Sequence, residues 1–354
     1  MRLTTLILGL MLSIMAQANT SPLKVAFVYV STVGDAGWSR SHEDARVYLE
    51  KTFGKNIETT FVENVPVGKE ARKVFDRLAQ EGQDVIFATS YGYMVSSQRV
   101  ASMYPNVKFE HATGLRRGDN LSTYGTRAYE ARYLSGIVAG RMTNSNKIGY
   151  VAAYPIPEII RGINAFTLGA RSVNPDAEVE VKWTKSWYNP TKAAKLTHQL
   201  IDDGADIITQ HTDSPEPVKV ANERGVYAIG YHSDMAEFGP KTHLMSVTHN
   251  WGKIYAKRIE AMQDDSWHSS DLWMGLKEGT SGLTSISRIV PNAVMKEVNT
   301  AKQQIIAGNR NIFAGPIKNN RGRMRIRENN HLTDDELQRL NWYVEGTTGD
   351  LRIY

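Results

Sequence analysis

Short apolar, β-branched runs alternate with longer amphipathic ones along this chain. Residues 24–30, Lys-Val-Ala-Phe-Val-Tyr-Val, are almost wholly apolar. Such a run reads as a strand buried on both faces in a parallel sheet. Gly34 and Gly37 punctuate the loop that follows. From 41 to 53 the period becomes helical, with Ala45, Tyr48, Leu49 and Phe53 on one face. Strand, loop and helix recur at 57–62, 68–81, 84–89, 95–104 and 107–112. This alternation predicts βαβ units and an α/β fold with a parallel sheet.

The second half repeats the first. Lys24-Val-Ala-Phe-Val is echoed by Lys147-Ile-Gly-Tyr-Val. Leu78-Ala-Gln-Glu-Gly-Gln-Asp-Val-Ile is echoed by Leu200-Ile-Asp-Asp-Gly-Ala-Asp-Ile-Ile, at offsets of 123 and 122 residues. Repeats of this length are too long for solenoid units, and they predict two copies of one doubly wound lobe. Ligands of open α/β sheets bind outside the carboxyl ends of the strands. Facing lobes would therefore bring together the loops 31–38, 90–94 and 111–114 from lobe one with 153–157, 186–189, 211–214 and 231–234 from lobe two. A strand around 246–250 is expected to return to lobe one.

Those loops carry six rings: Trp38, Tyr91, Tyr93, Trp187, Tyr188 and Tyr231. Any one of them could be packing. Trp38 and Trp187 belong to loops of opposite lobes, and a planar ligand between two such rings gains stacking energy on each face. Whether Tyr91 or Tyr93 faces the cleft is not legible. Asp213 and Asp234 offer acceptors for a ring N–H or exocyclic amine, with His111, His211 and Thr212 nearby as polar partners. For each aspartate a second reading stands, since both precede helical patterns and could cap them.

Composition narrows the class. The N-terminus places Arg2 before an apolar run at 6–15 and then Ala16-Gln-Ala18, the plan of a secretory leader, 1–18, cleaved after Ala18. The run is too short to span a bilayer. The sequence has no cysteine, which excludes disulfides, thiolate metal sites and a lipid-modified N-terminal cysteine. The net charge of +5 is unclustered until Arg321-Gly-Arg-Met-Arg-Ile-Arg327, a solvated segment that argues for no nucleic-acid partner. No G-x-S-x-G, H-E-x-x-H or P-loop occurs. No catalytic residue, metal site or cofactor is expected.

Several motifs together resemble the basic membrane protein (BMP) family of substrate-binding proteins, receptors of ABC importers for purine nucleosides and related bases. They are Gly34-Asp-Ala-Gly-Trp-Ser39, Ser90-Tyr-Gly-Tyr-Met94, Phe109-Glu-His-Ala-Thr-Gly114 and Tyr129-Glu-Ala-Arg-Tyr-Leu-Ser-Gly136. Ser186-Trp-Tyr-Asn-Pro190, Ile207-Ile-Thr-Gln-His-Thr-Asp-Ser214 and Trp273-Met-Gly-Leu-Lys-Glu-Gly279 continue the match, which runs from about Lys24 to Gly315. The resemblance implies a type I periplasmic binding protein, two Rossmann-like lobes joined by a multi-strand hinge. Lobe one would span 22–127 plus about 240–272, lobe two 128–239 plus about 273–317, and 318–354 would form an extension with a short helix at 334–343. It implies aromatic stacking by Trp38 and Trp187 and a ribose carboxylate at Asp234. Nucleoside-binding members carry a lysine near the ribose, whereas this chain reads Thr248-His249-Asn250 there. A free base, adenine first, is then the better expectation, with a purine nucleoside next and a sugar or signalling ligand as the alternative. The partner would be an inner-membrane ABC permease, and the protein a periplasmic monomer without a lipid anchor.

Overall fold

The computed structural model describes residues 21–351. The leader expected at 1–18 lies outside them. The strands of the first half are β1 (Leu23–Val28), β2 (Ile57–Val62), β3 (Val85–Ala88), β4 (Lys108–Ala112) and β5 (Leu121–Thr126). Those of the second are β6 (Lys147–Ala152), β7 (Glu178–Trp183), β8 (Ile207–His211), β9 (Tyr227–His232) and β10 (His243–His249). Both sets pair in parallel, in the orders β2-β1-β3-β4-β5 and β7-β6-β8-β9-β10. The repeat read from the sequence is thus a repeat of topology. β1 and β3 are buried along nearly their whole length, as strands must be when helices cover both faces.

The helices α1 (Trp38–Phe53), α2 (Lys69–Gln80) and α3 (Met94–Met103) belong to lobe one. α4 (Ala128–Met142), α5 (Pro157–Arg171), α6 (Pro190–Asp202) and α7 (Glu216–Arg224) belong to lobe two. α4 and α5 pack backbone to backbone. A Cβ at Gly136 would stand 2.1 Å from the Phe166 carbonyl oxygen, and one at Gly169 would stand 2.1 Å from that of Tyr133. Only glycine permits this approach.

One expectation about lobe membership is corrected. β10 does not return to lobe one; it pairs in parallel with β9 and buries Leu244, Met245 and Val247 in the core of lobe two. The chain crosses afterwards, into α8 (Trp251–Gln263), which packs on α1. It then forms β11 (Asp271–Met274), parallel to β5 at the edge of the lobe-one sheet, so residues 273 and 274 belong to lobe one. A second crossing leads to β12 (Ser281–Thr284), antiparallel to β10, and on to α9 (Asn292–Ile306) in lobe two. With the step from β5 to α4, three described segments pass between the lobes.

The extension forms the hairpin β13 (Ile317–Lys318) and β14 (Met324–Ile326), the helix α10 (Asp334–Gln338), and β15 (Thr347–Thr348), which adds to the edge of β7. Thr333 and Glu336 make the capping box of α10. The helix stops well before 343 because the chain turns inward, burying Leu340, Tyr343 and Val344 in the core of lobe two. α10 itself touches both lobes. Arg161 Nη1 donates to the Leu337 carbonyl at 2.8 Å, and Gln338 Nε2 donates to Asp271 Oδ2 at 2.9 Å.

Candidate functional site

The carboxyl ends of the two sheets face each other across a narrow, nearly closed cleft with about 20 Å³ of free volume, room for roughly one water, so a ligand enters only when the lobes part. Val30, Trp38, Ser90, Tyr91 and Thr113 line it from lobe one. Ile156, Glu158, Trp187, His211, Asp213 and His232 line it from lobe two. A second small compartment, of about 30 Å³, adjoins it and shares Tyr91, Thr113 and Glu158 as walls.

Trp38 opens α1 directly after Gly37, whose φ of 103° turns the loop into the helix. Its ring is 8% exposed. The indole N–H donates to the Thr89 carbonyl at 2.6 Å. His42, His232, His249 and Trp251 abut the ring edge-on at centroid distances of 4.6, 5.3, 5.7 and 5.2 Å. This wall is rigid. Trp187 stands on the loop between β7 and α6 and is only part-buried. Tyr154 supports it edge-on at 5.0 Å, and its carbonyl accepts the Asp213 N–H at 2.9 Å. The two tryptophans thus belong to opposite walls of one narrow space.

Asp213 ties the lobes together. From the end of β8 it crosses to the start of α1, where Oδ1 accepts the Trp38 N–H at 3.1 Å and Oδ2 accepts the Ser31 hydroxyl at 2.5 Å. It therefore caps a helix, but the helix of the other lobe. Gly37 makes the close approach possible, since a Cβ there would stand 2.6 Å from the Asp213 Cα. Burial pushes the Asp213 carboxyl up to about 6, against the lowering by Ser31 and the Trp38 N–H. Both its oxygens accept a bond from lobe one, so it links the two lobes across the cleft it lines.

Behind the cleft lies a knot of imidazoles. His232 Nδ1 and His249 Nε2 are 3.1 Å apart, and the other nitrogen of His249 meets the Thr126 hydroxyl at 2.7 Å. His42 bonds the Tyr255 hydroxyl. Burial pushes the pKa values of His42, His211, His232 and His249 down, that of His249 to about 3. All four are neutral at pH 7. Among the described residues no cluster of three or more His, Cys, Asp or Glu is placed to hold a metal.

Three residues expected in the site line neither compartment. His111 is fully buried and donates from Nε2 to the Ser90 carbonyl at 2.8 Å, so it holds up the Ser90–Tyr91 loop from beneath. The Thr212 hydroxyl is turned inward to Gln210 Oε1 at 3.1 Å. Asp234 is exposed and occupied with local capping; it accepts the Ala236 N–H at 3.0 Å and bonds the Ser285 hydroxyl. No ribose carboxylate stands there. The choice between tyrosines is settled by packing, because Tyr91 lines the cleft whereas Tyr93 is buried with its hydroxyl on the Val65 carbonyl at 2.6 Å. Tyr188 is 44% exposed, and Tyr231 lies buried under the Arg132 guanidinium at 3.6 Å.

Three site residues were not foreseen. His232, at the end of β9, lines the cleft with a left-handed φ of 73°. Arg132 supports the end of β8 from α4, donating to Thr209 Oγ1 at 2.9 Å and to the Gln210 carbonyl. Glu158, in the first turn of α5, lines both compartments. Burial pushes its carboxyl up to about 7, moderated by Arg161. The available signal was Pro155-Ile-Pro157-Glu158 at a strand end, a proline-opened helix whose first turn points at the cleft.

The comparisons with known proteins agree with this architecture. Residues 23–314 match the Bmp family profile, described as ABC transporter substrate-binding protein PnrA-like. A purine-binding protein of Brucella abortus is 42% identical over 343 residues, covering 97% of both chains. A putative ABC transporter glucose-binding protein of Haloferax volcanii is 37% identical over 330 residues, 93% of this chain and 81% of that one. Among solved structures, a solute-binding protein of an ABC transporter system from Aeropyrum pernix superimposes with TM-score 0.71 at 20% identity, over 92% of this chain and 100% of that one. Another from Conexibacter woesei gives 0.68 at 19%, over 82% and 98%. These likenesses carry the fold, two lobes of the type I periplasmic binding protein kind. No described helix is long and apolar enough to cross a membrane. By the length of its match and by the Brucella relative, this chain belongs to the Bmp family: it is the substrate-binding protein of an ABC transporter, a binder and not an enzyme.

Proposed function

We propose that this protein captures a purine base, adenine in first place, between Trp38 and Trp187 and presents it to an ABC permease of the inner membrane. The observation that carries the reading is the pair of indoles from opposite lobes on one cleft. A planar heteroaromatic ring stacks on each face there, at ~1–3 kcal/mol per stack. The purine-binding Brucella relative supports the ligand class. A free base is favoured over a nucleoside because Thr248, His249 and Asn250 replace the family's lysine and Asp234 is turned away. Hinge closure would be held by Asp213, Ser31 and Trp38, giving the permease a closed form to recognise. The protein would act as a monomer in the periplasm after loss of residues 1–18, with no nucleic acid as partner.

A sugar is the second reading, favoured by the name of the Haloferax relative. The cleft counts against it. A sugar requires several amide or charged groups around its hydroxyls; the compartment between the indoles offers only Glu158 and Asp213, and Arg161, Asp271 and Gln338 line the second one. Thermal unfolding followed by tryptophan fluorescence, with adenine, adenosine and glucose added in turn, decides between them. A saturable rise of the midpoint with adenine is expected. Saturable stabilisation by glucose with no purine response overturns the proposal.

A further inference from the structure

The Glu158 carboxylate has no hydrogen-bond partner among the described residues. It stands at N2 of α5, after Pro157. There the helix dipole favours a negative charge, which accounts for a carboxylate but not for one that accepts no N–H. The opposite charge that moderates it is Arg161, one turn on. That guanidinium is engaged elsewhere: Nη1 donates to the Leu337 carbonyl, and the group lies over the Trp273 ring at 4.8 Å. With no protein donor to meet it, the carboxylate stands on the wall common to both compartments, within reach of a donor that arrives with the ligand.

A base stacked between Trp38 and Trp187 fills the first compartment, which continues into the second past Tyr91, Thr113 and Glu158. A base stacked with its imidazole edge toward this opening would bring any substituent on that edge to Glu158. In a free base the same edge carries an N–H.

We propose that Glu158 is a specificity-determining residue of the cleft, whose carboxylate accepts the imidazole-edge N–H of a free purine base and so disfavours purines substituted at that nitrogen. The inference rests on the purine reading above. A nitrogen bearing carbon leaves the carboxylate facing an apolar group, unpaired. Above pH 7, where the carboxyl raised to about 7 is ionised, loss of this hydrogen bond to a charged acceptor lowers affinity by about ten- to hundredfold.

The test is calorimetric titration of the full chain with adenine and with 9-methyladenine, which keeps both rings and the amine but lacks the N9 hydrogen. Wild type is expected to bind adenine about ten- to hundredfold tighter. Glu158→Leu, which has no acceptor, should bring the two ligands to within a few fold, and Glu158→Gln should retain part of the preference. Equal binding of both ligands by wild type overturns the inference, as does a Glu158→Leu protein that keeps the full preference. Should Glu158→Leu fail to fold, the wild-type ratio and the Glu158→Gln ratio decide. If wild type binds neither ligand, the purine reading itself fails, and the inference with it.

Discussion

Replacing Trp187 by alanine isolates the stacking on which the proposed function depends. Trp187 is part-buried on a loop, at the margin of the lobe-two core, and its ring meets Tyr154 edge-on at 5.0 Å. Its loss should cost the unliganded protein little. Trp38 is a poor choice for the same experiment. Four rings and the Thr89 carbonyl enclose it, and a large-to-small change in such a site costs ~3–5 kcal/mol of stability. One base–aromatic stack contributes ~1–3 kcal/mol, which converts to about a 5- to 150-fold weaker Kd at 25 °C. Isothermal titration with adenine reads this directly. Trp187→Phe serves as the conservative control and should stay within a few fold of wild type, while the unliganded unfolding midpoints of all three proteins should nearly coincide. Wild-type affinity in Trp187→Ala refutes the stacking argument. A large fall in the unliganded midpoint would show instead that the ring belongs to the core.

Three other perturbations follow from the same geometry. Gly37→Ala places a Cβ 2.6 Å from the Asp213 Cα at a residue with φ of 103°; it should prevent closure, so that the compaction on adding adenine seen by small-angle scattering is lost, and unchanged compaction would contradict the latch. His249→Gln should flatten the pH dependence of stability: burial lowers the folded pKa to about 3, so this contribution is present above the unfolded value of about 6.5 and is lost as pH falls. Between pH 6.5 and 5, wild type should lose about 1.1 kcal/mol per pH unit relative to that variant, and parallel unfolding curves would contradict it. Arg258→Ala strands Glu110, its buried partner at 3.0 Å, and should cost about 3–5 kcal/mol in urea unfolding; a loss under about 1 kcal/mol would show that Trp267, which donates to Glu110 at 2.7 Å, suffices.

Local pattern determined much of this protein. The apolar runs at 24–30 and 147–152, repeated at a nearly constant offset, made two parallel-sheet lobes readable, because burial on both faces leaves no polar alternation. Strand ends then named the loops, and with them Trp38, Tyr91, Trp187, His211 and Asp213, all of which line the cleft. Pattern could not show that β10 stays in lobe two. Parallel neighbours are usually linked by a crossover of a dozen or more residues, and here β9 and β10 are joined by only 233–242 with a single short turn of helix. Nor could it separate Tyr91 from Tyr93 or foresee Glu158, since the direction of a side chain at a strand end depends on what packs beneath it. The two readings of Asp213 and Asp234 show where sequence stops. Both aspartates are caps, but Asp234 caps its own short turn while Asp213 caps a helix 175 residues away in the other lobe. Spacing along the chain encodes the first contact; only the meeting of two separately folded lobes creates the second.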